Sequence, residues 1–430
     1  MSKLARLVQT VDAEAPNTVL LVEDSLPLRQ ALVGYLSRIN GMRVETAASL
    51  EQAEALLAFG GERFACAVLD LELPDAPHGE IVEYVRAHDI PVIALAASID
   101  ERMRQQIHAG NVVDYVVKRN PADLEHVAYL AARLRENHQV KVIVADGSSS
   151  FRGYLKWLLD NYRYTTFIAA HGREALSLLE RHPDVSLVLA DFNMPVMNGM
   201  ELIAAIRADH RREDLAIIGL SDGAQPGLSA MMIKSGANDF LTKPFQVEEF
   251  YCRVTQNTNM IGYVRQIREA ATRDFLTGLY NRRYIFEVGN VFYSNASRGN
   301  VTMATALVDA DHFKRINDTH GHQVGDQALR AIASAIQNTL RTGDLVGRYG
   351  GEEIVCLTLI KKPQDAPIAF ERVREAVESI QLRADGVRVP ITVSVGVTTD
   401  RCTSLEQMIR RADEAVYQAK QAGRNRVVCL

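Results

Sequence analysis

The sequence predicts two tandem α/β domains, each a doubly wound parallel sheet, followed by a palm-like α+β domain. Three observations support this prediction. A pattern of apolar strands that end in polar residues occurs twice within about the first 250 residues. These continuous apolar strands alternate with amphipathic helical stretches, which is typical of parallel sheets covered by helices on both faces. The last third of the chain instead combines long helices with alternating strands and a hairpin, which favours an α+β domain.

The composition indicates a globular protein of several domains. With 430 residues, 47% hydrophobic and 23% charged, the chain is long enough for roughly three domains. Its net charge of −5 argues against general binding to nucleic acid or to membrane surfaces. The five cysteines are scattered and lack metal-ligand spacing, so we expect reduced thiols and a cytoplasmic protein. We also expect no membrane insertion, because no apolar run approaches about 18 residues.

The predicted domain boundaries follow these changes of pattern. A short tail precedes the first domain, and a helical linker separates the second domain from the third. In order, the predicted segments are the tail over 1–16, the α/β domains over 17–137 and 138–253, the linker over 254–272 and the α+β domain over 273–430.

Each α/β domain has polar residues directly after its apolar strands. In the first copy the strands and the residues that follow them are Val19–Val22 with Glu23 and Asp24, Cys66–Leu69 with Asp70, Pro91–Leu95 with Ala96, and Tyr115–Val117 with Lys118. In the second copy they are Val142–Ala145 with Asp146, Leu187–Ala190 with Asp191, Ile217–Leu220 with Ser221, and Phe240–Thr242 with Lys243. The carboxyl ends of parallel strands share one edge of the sheet, so these polar residues should lie together.

This set of side chains has a chemical interpretation. The acidic residues can bind Mg²⁺, one aspartate can attack a phosphoryl group, and the lysine can neutralise the acyl phosphate that results. The alternative is that polar residues merely end the strands. The two copies are in register, with 121 residues from Asp70 to Asp191 and 125 from Lys118 to Lys243, which favours the chemical interpretation.

With these residues, each copy resembles a response regulator receiver domain, and the resemblance covers about residues 17 to 250. It implies phosphorylation by a sensor histidine kinase at Asp70 or Asp191. The implied metal ligands of the first receiver are Glu23, Asp24 and Asp70, and the implied supporting residues are Lys118, Ser221 and Lys243. The resemblance also implies a cis peptide bond between Lys243 and Pro244.

Each copy departs from the family pattern at one important position. The first has Ala96 where the family has threonine or serine, and the second has Gly147 where the family has its second acid. Loss of that carboxylate removes charge and a ligand from the metal site. We therefore expect Asp70 to be the phosphoacceptor, with Asp191 as the second choice and the second receiver mainly an adaptor or dimerisation surface. Ala96 leaves open how the first receiver reports phosphorylation, because the missing hydroxyl normally couples to an aromatic switch, here Tyr115.

A single long helix is predicted from Gln246 to Arg273, because this segment contains no strong helix breaker. Residues recur there at alternating spacings of four and three, which is a heptad seam with two polar interruptions. The seam consists of Phe250, Val254, Asn257, Ile261, Val264, Arg268 and Ala271. We expect this helix to pair two chains and to transmit the state of the receivers; the alternative is a last receiver helix followed by a loose linker.

The segment Arg348–Ile354 predicts a β-hairpin, since Gly350 and Gly351 join two apolar runs. The primed turns of hairpins need positive φ, which glycine adopts readily. Glu352 and Glu353 then lie at the start of the return strand, beside backbone that a ligand can approach. Carboxylates next to exposed N–H groups suit a phosphate carried with a divalent metal. The alternative is an ordinary hairpin with two solvated glutamates.

Other residues of the third domain could complete a nucleotide site. Asp309, at a strand end, could hold Mg²⁺ together with Glu352. Three consecutive residues open a predicted helix, whose backbone N–H groups favour phosphate. These three are His312, Phe313 and Lys314.

Two further pairs suit a guanine nucleotide. Lys420 and Arg424 are four residues apart, so they would share one helix face and could clamp a triphosphate. Asn317 and Asp326 offer an amide and a carboxylate, which complement the edge of guanine. Taken singly, each is an ordinary surface residue, but their occurrence together with the Gly-Gly-Glu-Glu hairpin favours a nucleotide site.

Together these motifs resemble the GGDEF family of diguanylate cyclases over about residues 272 to 430. The resemblance implies Mg²⁺ or Mn²⁺ held by Asp309, the backbone of Ala310 and Glu352, with Glu353 as a further ligand or an aid to deprotonation. The implied catalytic residues are Asp309, Glu352 and Glu353, and the implied GTP-binding residues are His312, Phe313, Lys314, Asn317, Asp326, Lys420 and Arg424. The residues that fit the family's product-inhibition site are Arg341, Asp344 and Arg372.

The implied reaction joins two GTP molecules into cyclic di-GMP and releases two pyrophosphates. Each 3′-hydroxyl attacks the α-phosphate of the other GTP, so two domains must face each other and a homodimer is expected. One alternative is a catalytically silent module that senses GTP or cyclic di-GMP. Another is a scaffold that acts through its receivers alone. No segment resembles a cyclic di-GMP phosphodiesterase, so we expect synthesis without hydrolysis.

Overall fold

The computed structural model describes residues 16–39, 41–58, 60–96, 112–223, 227–298, 301–384 and 386–430. The predicted tail over 1–16 therefore lies outside the described residues, apart from Pro16. The described chain divides into two compact units, with the boundary between Val264 and Arg265. Within these ranges, no helix combines the length and the apolar character needed to cross a membrane.

The first α/β domain has a five-stranded parallel sheet in the order β2-β1-β3-β4-β5. Its strands are β1 (Thr18–Val22), β2 (Arg43–Ala47), β3 (Phe64–Asp70), β4 (Val92–Ala96) and β5 (Asp114–Val117). The described helices around it are α1 (Leu26–Leu36), α2 (Leu50–Leu57), α3 (Glu80–Arg86) and α4 (Pro121–Glu136). The sequence pattern predicts only four of these strands. It misses β2 because this edge strand is largely exposed and lacks a continuous apolar run.

The second α/β domain repeats this architecture, with the parallel order β10-β9-β8-β6-β7. Its strands are β6 (Lys141–Ala145), β7 (Thr165–Ala169), β8 (Leu187–Asp191), β9 (Ala216–Ser221) and β10 (Asp239–Thr242). Its described helices are α5 (Ser149–Asn161), α6 (Gly172–Arg181), α7 (Gly199–Asp209) and α8 (Leu228–Ser235). The edge strand β7 is again the one that the pattern misses. The Lys243–Pro244 peptide bond is cis. The prediction of two tandem parallel sheets is confirmed.

The predicted connector forms one helix, α9 (Val247–Thr272). The first half of the predicted heptad seam is buried within the first unit, where Phe250, Val254 and Ile261 pack in one core with Leu130 and Leu134 of α4. This half of the seam is therefore occupied by the receiver-like domains. It is not free to pair with another helix, which corrects the prediction. The later seam residues Arg268 and Ala271 are exposed.

The second unit is an α+β domain, as predicted, with a mixed sheet in the order β12-β13-β11-β16-β17. Its strands are β11 (Thr302–Ala310), β12 (Leu345–Gly350), β13 (Glu353–Ile360), β16 (Val393–Thr398) and β17 (Val427–Cys429), and a separate hairpin contains β14 (Leu382–Ala384) and β15 (Val387–Val389). Its helices are α10 (Arg282–Ser297), α11 (Phe313–His320), α12 (His322–Thr339), α13 (Asp365–Glu378) and α14 (Leu405–Gln421). Helices α12 and α13 cover one face of the sheet, and α10 and α14 cover the other.

Candidate active site

The strand register of the second unit brings the predicted acidic residues to one end of the sheet. β11 and β13 are antiparallel, and Asp309 lies directly opposite Glu353. The backbone N–H of Ala310 donates to the carbonyl oxygen of Glu352 at 3.4 Å. Two carboxylates from neighbouring strands and a third from the turn before β13 therefore lie at one end of the sheet.

The hairpin that carries Glu352 differs in detail from the prediction. Gly350 is still paired with Glu353 in the ladder, so the turn consists of Gly351 and Glu352 rather than of the two glycines. Gly351 alone has a positive φ here, of 30°. The ladder also contains a register shift between Arg348 and Gly350, which bends the strand just before the turn.

Arg348 and Asp274 hold this turn in place, a role that the motif analysis did not predict for either residue. The Arg348 guanidinium donates from Nε and Nη2 to the carbonyl oxygen of Gly351, at 2.9 and 2.7 Å. Its Nη1 contacts both carboxylate oxygens of Asp274, at 3.1 and 3.2 Å. Asp274 in turn accepts from the backbone and the hydroxyl of Thr277. The segment that follows α9 is thus joined to the hairpin turn by one arginine.

Asp309 has one paired and one unpaired carboxylate oxygen. Its Oδ2 accepts from Lys420 Nζ at 2.8 Å, and its Oδ1 is buried without a hydrogen-bond partner among the described residues. Burial raises the pKa of Asp309, against the opposing effect of Lys420. A buried, unpaired carboxylate oxygen is costly unless something binds it. Oxygen ligands of this kind suit Mg²⁺, so the residues present fit a divalent metal held by Asp309 and Glu352.

The three acids are less tightly gathered than in a preformed metal cluster. Among the described residues, only Glu23, Asp24 and Asp70 form a group of three acids whose ligand atoms lie within 4.8 Å of one another. In the second unit Lys420 instead occupies one oxygen of Asp309. Burial and the neighbouring carboxylates, with that of Asp309 foremost, raise the pKa of Glu353.

Helix α11 begins shortly after β11, the strand that carries Asp309. His312 precedes the helix with a φ of 55°, and Phe313 and Lys314 form its first two positions. The first N–H groups of a helix have no partner within the helix, so they favour an anion. The structure thus places all three predicted phosphate-binding residues at one helix start, with Lys314 exposed.

The predicted guanine-binding pair lies between α11 and α12. Asn317 is on the first of these helices and Asp326 is on the second. The side chain of Asn317 packs directly against Gly325, since a Cβ atom there would lie 1.9 Å from the Asn317 side-chain oxygen. Only glycine allows this close approach, so Gly325 is a site residue that the motif analysis did not single out.

Arg424 is not on the same helix face as Lys420, which corrects the prediction. Helix α14 ends at Gln421, and Arg424 lies in a turn with a φ of 61°, followed by Asn425 with a φ of 45°. Buried Asp311 fixes this turn by accepting from the Asn425 N–H at 3.0 Å. Its other acceptor bonds come from the hydroxyls of Thr392 and Ser394.

Helix α13 holds the turn from the other side. Arg374 donates to the side-chain oxygen of Asn425 at 2.9 Å, and Asn425 donates to Glu378 at 2.8 Å. Two consecutive left-handed residues other than glycine are strained and persist only when their surroundings hold them. Long-range contacts of the neighbouring Asn425 therefore hold the turn that contains Arg424, and the spacing of residues in the sequence cannot predict such contacts.

The predicted product-inhibition residues lie in two elements, the turn before β12 and helix α13. Asp344 accepts from the backbone N–H of Arg341 at 2.9 Å, in the turn that precedes β12. Arg372 is on α13 and lines a cleft of about 450 Å³ with Ile368 and Val427. Neither Arg341 nor Asp344 is among the residues that line this cleft.

The first α/β domain gathers its predicted acidic site around Lys118. Lys118 Nζ lies 3.0 Å from Glu23 and 2.6 Å from Asp70, and Asp24 completes the cluster. Burial raises the pKa of Glu23. Ala96 lies one residue beyond Leu95, which pairs with Asp70 across the sheet.

The second α/β domain has the same lysine arrangement with different neighbours. Lys243 Nζ lies 2.7 Å from both Asp146 and Asp191. Ser221 follows Leu220, the partner of Asp191, so its position matches that of Ala96. A Cβ atom on Gly147 would lie 3.0 Å from the Asn193 carbonyl oxygen, which leaves little room for a third acid.

Comparisons with known proteins match three successive segments of the chain to two protein families. The family model described as the response regulator receiver domain matches residues 19–128 and 142–255. The family model described as the diguanylate cyclase GGDEF domain matches residues 271–426.

The similar proteins include a response regulator and diguanylate cyclases. The chain is 32% identical over 290 residues to the response regulator PleD of Caulobacter vibrioides, a match that covers 63% of this chain and 64% of PleD. It is 35% identical over 167 residues to diguanylate cyclase A of Treponema denticola, covering 38% of this chain and 45% of that protein. The chain thus spans less than two thirds of the length of these relatives.

Two solved structures of two-component response regulator/GGDEF domain proteins match 57% of this chain and 99% of their own. Their identities are 37% and 36%, with TM-scores of 0.53 and 0.52. The receiver matches alone cover about half of the sequence, and the GGDEF match follows them without overlap. The chain belongs to the response regulator family, with two receiver domains followed by a GGDEF domain.

Proposed function

We propose that this chain is a diguanylate cyclase that condenses two GTP molecules into cyclic di-GMP and two pyrophosphates. The observation that carries the proposal is the buried Oδ1 of Asp309, which has no hydrogen-bond partner within the described part of the chain and lies on a residue opposite Glu353. A carboxylate oxygen left unpaired at a strand end is explained if a cation binds it with its nucleotide. The GGDEF match and the relatives named as diguanylate cyclases point to the same reaction.

The nucleotide would lie along the acidic edge of the sheet. The N–H groups at the start of α11 and the cations of Lys314, Lys420 and Arg424 would bind its phosphates. The Asn317 amide and the Asp326 carboxylate would bind the guanine edge, between α11 and α12. Mg²⁺ or Mn²⁺, when bound by Asp309, the Ala310 carbonyl and Glu352, would supply positive charge to the phosphates and help ionise the attacking hydroxyl.

Glu353 is suited to proton transfer. Burial and the adjacent carboxylates raise its pKa, which brings a carboxylate closer to the range useful for a general base. Its Oε atoms would accept the proton of the 3′-hydroxyl that attacks the α-phosphate of the other GTP. Because one domain holds one GTP, two domains must face each other, so we propose that the active form is a homodimer.

The dimer contact proposed here involves the exposed part of α9. Three large apolar residues on this helix, Met260, Tyr263 and Ile267, are 59%, 49% and 70% exposed. They recur at spacings of three and four, one residue before the predicted seam positions 261, 264 and 268. An exposed apolar stripe with this spacing suits a two-helix seam.

We propose that phosphorylation of Asp70 by a sensor histidine kinase controls the enzyme. Support comes from the gathered acids of receiver 1, which can hold the metal that phosphoryl transfer to an aspartate requires. We propose further that the product, cyclic di-GMP, inhibits the enzyme by binding at Arg341, Asp344 and Arg372. Its test is whether added cyclic di-GMP lowers the initial rate, and whether Arg341→Ala abolishes that effect.

A chromatographic assay with GTP and Mg²⁺ tests the proposed activity. Asp309→Asn combined with Glu352→Gln should lower the rate of cyclic di-GMP formation by at least about 10²- to 10³-fold, because the charge that stabilises the transition state is removed. Glu287→Gln, which neutralises an exposed glutamate of α10, is the matched control and should leave the rate unchanged. Binding of GTP without any dinucleotide product in the wild type would instead support a silent sensing module.

A further inference from the structure

A cavity of about 480 Å³ lies within the first unit, between receiver 1 and helix α9. Its walls come from the start of β5, from one side of α4 and from the first three turns of α9. Neither the acidic sites of the receivers nor the GGDEF site includes any of these wall residues. The exposed residues Cys252 and Gln256 lie on its rim, so the cavity opens to solvent beside α9.

The cavity collects polar atoms that have no partner. Seven buried side-chain nitrogen or oxygen atoms lack a hydrogen bond in the described residues, and three of the seven belong to residues that line this one cavity. These three are Arg133 Nε, Asn137 Oδ1 and Glu248 Oε2. Buried polar groups in folded proteins are normally satisfied, and an unsatisfied charged group is the most costly kind. Their concentration here shows that the walls of this cavity are polar below their surface.

Hydrogen bonds within the walls hold two of these side chains in place. Asn137 Nδ2 donates to the carbonyl oxygen of Tyr162, at 2.8 Å. Arg133 Nη2 donates to the hydroxyls of Tyr164 and Thr258. The three atoms without a partner among the described residues are themselves buried below the cavity surface.

The charge and the aromatic surface of the walls favour a cation. Asp114 and Glu248 contribute two carboxylates against the single guanidinium of Arg133. Asp114 also accepts from the Tyr162 hydroxyl at 3.2 Å, so its carboxylate is anchored at the wall. Four lining residues are tyrosines, namely Tyr115, Tyr129, Tyr162 and Tyr251. Tyrosine faces attract cations, and more strongly where water is excluded.

We propose that this cavity is a binding site for a small organic amine. The ammonium group would pair with the carboxylates of Glu248 and Asp114 among the tyrosine residues of the walls. This proposal is independent of the cyclase reaction, because every residue it uses lies in the first unit.

The position of the cavity suggests what its occupant would influence. Asp114 and Tyr115 begin β5, and Lys118, which pairs with Asp70, directly follows that strand. Glu248 is on α9, the helix that leaves the receivers. An occupant would therefore contact β5, the strand that Lys118 follows, and also α9, the helix that leads to the GGDEF domain.

Cys252 provides a direct test because it lines the mouth, one helical turn after Glu248. The full chain is equilibrated under mild reducing conditions with cystamine, bis(2-hydroxyethyl) disulfide or bis(2-sulfonatoethyl) disulfide. Peptide mass spectrometry then gives the fraction of Cys252 that carries the cationic, neutral or anionic adduct. We expect the aminoethyl adduct to be favoured over the hydroxyethyl adduct by about tenfold, which corresponds to about 1.4 kcal/mol.

Two controls determine the interpretation. Glu248→Gln, combined with Asp114→Asn, should abolish the preference at Cys252 while leaving the adducts of Cys429, also exposed, unchanged as an internal standard. In the unaltered chain, added ethylamine should suppress the aminoethyl adduct at Cys252 and not at Cys429, which keeps the test valid if a variant misfolds. Equal adduct fractions for all three reagents at Cys252, or a cationic preference that persists in the variant and against ethylamine, would overturn the proposal.

Discussion

The two receiver domains have the same lysine arrangement but have lost different parts of the site. In receiver 1, Lys118 lies among three clustered acids, and the position beyond β4 that holds the hydroxyl in receiver 2 is Ala96. In receiver 2, Lys243 contacts two acids and Ser221 supplies the hydroxyl, but Gly147 replaces the third acid. One domain thus keeps the acids, and the other keeps the hydroxyl.

This difference separates two functions that one receiver normally combines. Metal-assisted phosphoryl transfer depends on carboxylate charge gathered around a cation, which receiver 1 retains. A hydroxyl near the phosphoryl group can report its presence, and only receiver 2 has that hydroxyl. The lysine–aspartate ion pair occurs in both, so by itself it does not distinguish an active acceptor from an inactive one. The charge of the third acid is the feature to test.

The largest expected effect concerns the choice of phosphoacceptor. Asp70→Asn should reduce phosphorylation of the full chain by acetyl phosphate at least about tenfold, because it removes the nucleophile from the one cluster of three acids found in the described ranges. Asp191→Asn should leave most of the phosphorylation in place. Phosphate-affinity gel electrophoresis of both variants measures this directly. Equal losses in the two variants would remove the functional difference between the receivers.

Metal binding should stabilise receiver 1 selectively. A metal that binds only the folded state at about 100 times its dissociation constant adds about 2.7 kcal/mol to the free energy of unfolding. The single tryptophan, Trp157, lies in α5 of receiver 2 and lines a cleft together with Arg86 and Asp89 of receiver 1, so we expect its fluorescence to change when receiver 1 unfolds. Asp24→Asn should abolish the stabilisation by Mg²⁺, whereas Asp146→Asn should retain it.

The same stabilisation should depend on pH. Burial raises the pKa of Glu23, so this carboxylate takes up a proton at a higher pH than an exposed glutamate. Protonation removes a metal ligand, and the increase in unfolding free energy caused by Mg²⁺ should therefore shrink as the pH falls through that range. An effect of Mg²⁺ that stays constant down to strongly acidic pH would contradict a role for Glu23.

Restoring the missing acid should partly convert receiver 2. Gly147→Asp places a Cβ 3.0 Å from the Asn193 carbonyl oxygen, so we expect a loss of about 1 kcal/mol in metal-free buffer. Mg²⁺ should reverse this loss by satisfying the new carboxylate. Gly153→Asp, where a side chain meets open space on α5, is the matched control. If Mg²⁺ affects both variants alike, Gly147 does not account for the difference.

The smallest expected effect comes from adding the hydroxyl to receiver 1. Ala96→Ser should strengthen the binding of beryllofluoride by at most about 1 kcal/mol, the typical net contribution of one hydrogen bond. Ser221→Ala in receiver 2 is the counterpart and should leave beryllofluoride binding unchanged, since receiver 1 holds the ligand. Isothermal titration of both variants with Mg²⁺ present measures the difference. A large loss in Ser221→Ala would move the acceptor to receiver 2.

The sequence predicts the acidic strand ends well because they follow from local patterns. Asp70 and Asp191 end β3 and β8, where buried parallel strands appear as continuous apolar runs. The same reasoning misses β2 and β7, because an edge strand can alternate exposed and buried residues. It also identifies the hairpin of β12 and β13 but not its turn, since two adjacent glycines do not fix the register of the ladder.

Long-range contacts account for what the sequence could not predict. A spacing of four residues suggests one helix face for Lys420 and Arg424, yet the helix ends between them and Asp311 positions the turn from another strand. Similarly, the heptad spacing of α9 identifies a buried stripe but not its partner. That stripe packs on α4 near Leu130, a contact between segments more than 100 residues apart in sequence.

The most direct test of the whole account is the rate of cyclic di-GMP formation with and without beryllofluoride, a mimic of the acyl phosphate. Beryllofluoride should raise this rate in the wild type and in Asp191→Asn to a similar extent, and it should have no effect on the rate of Asp70→Asn. Stimulation that persists in Asp70→Asn, or that disappears in Asp191→Asn, would contradict the assignment of receiver 1 as the input to the cyclase.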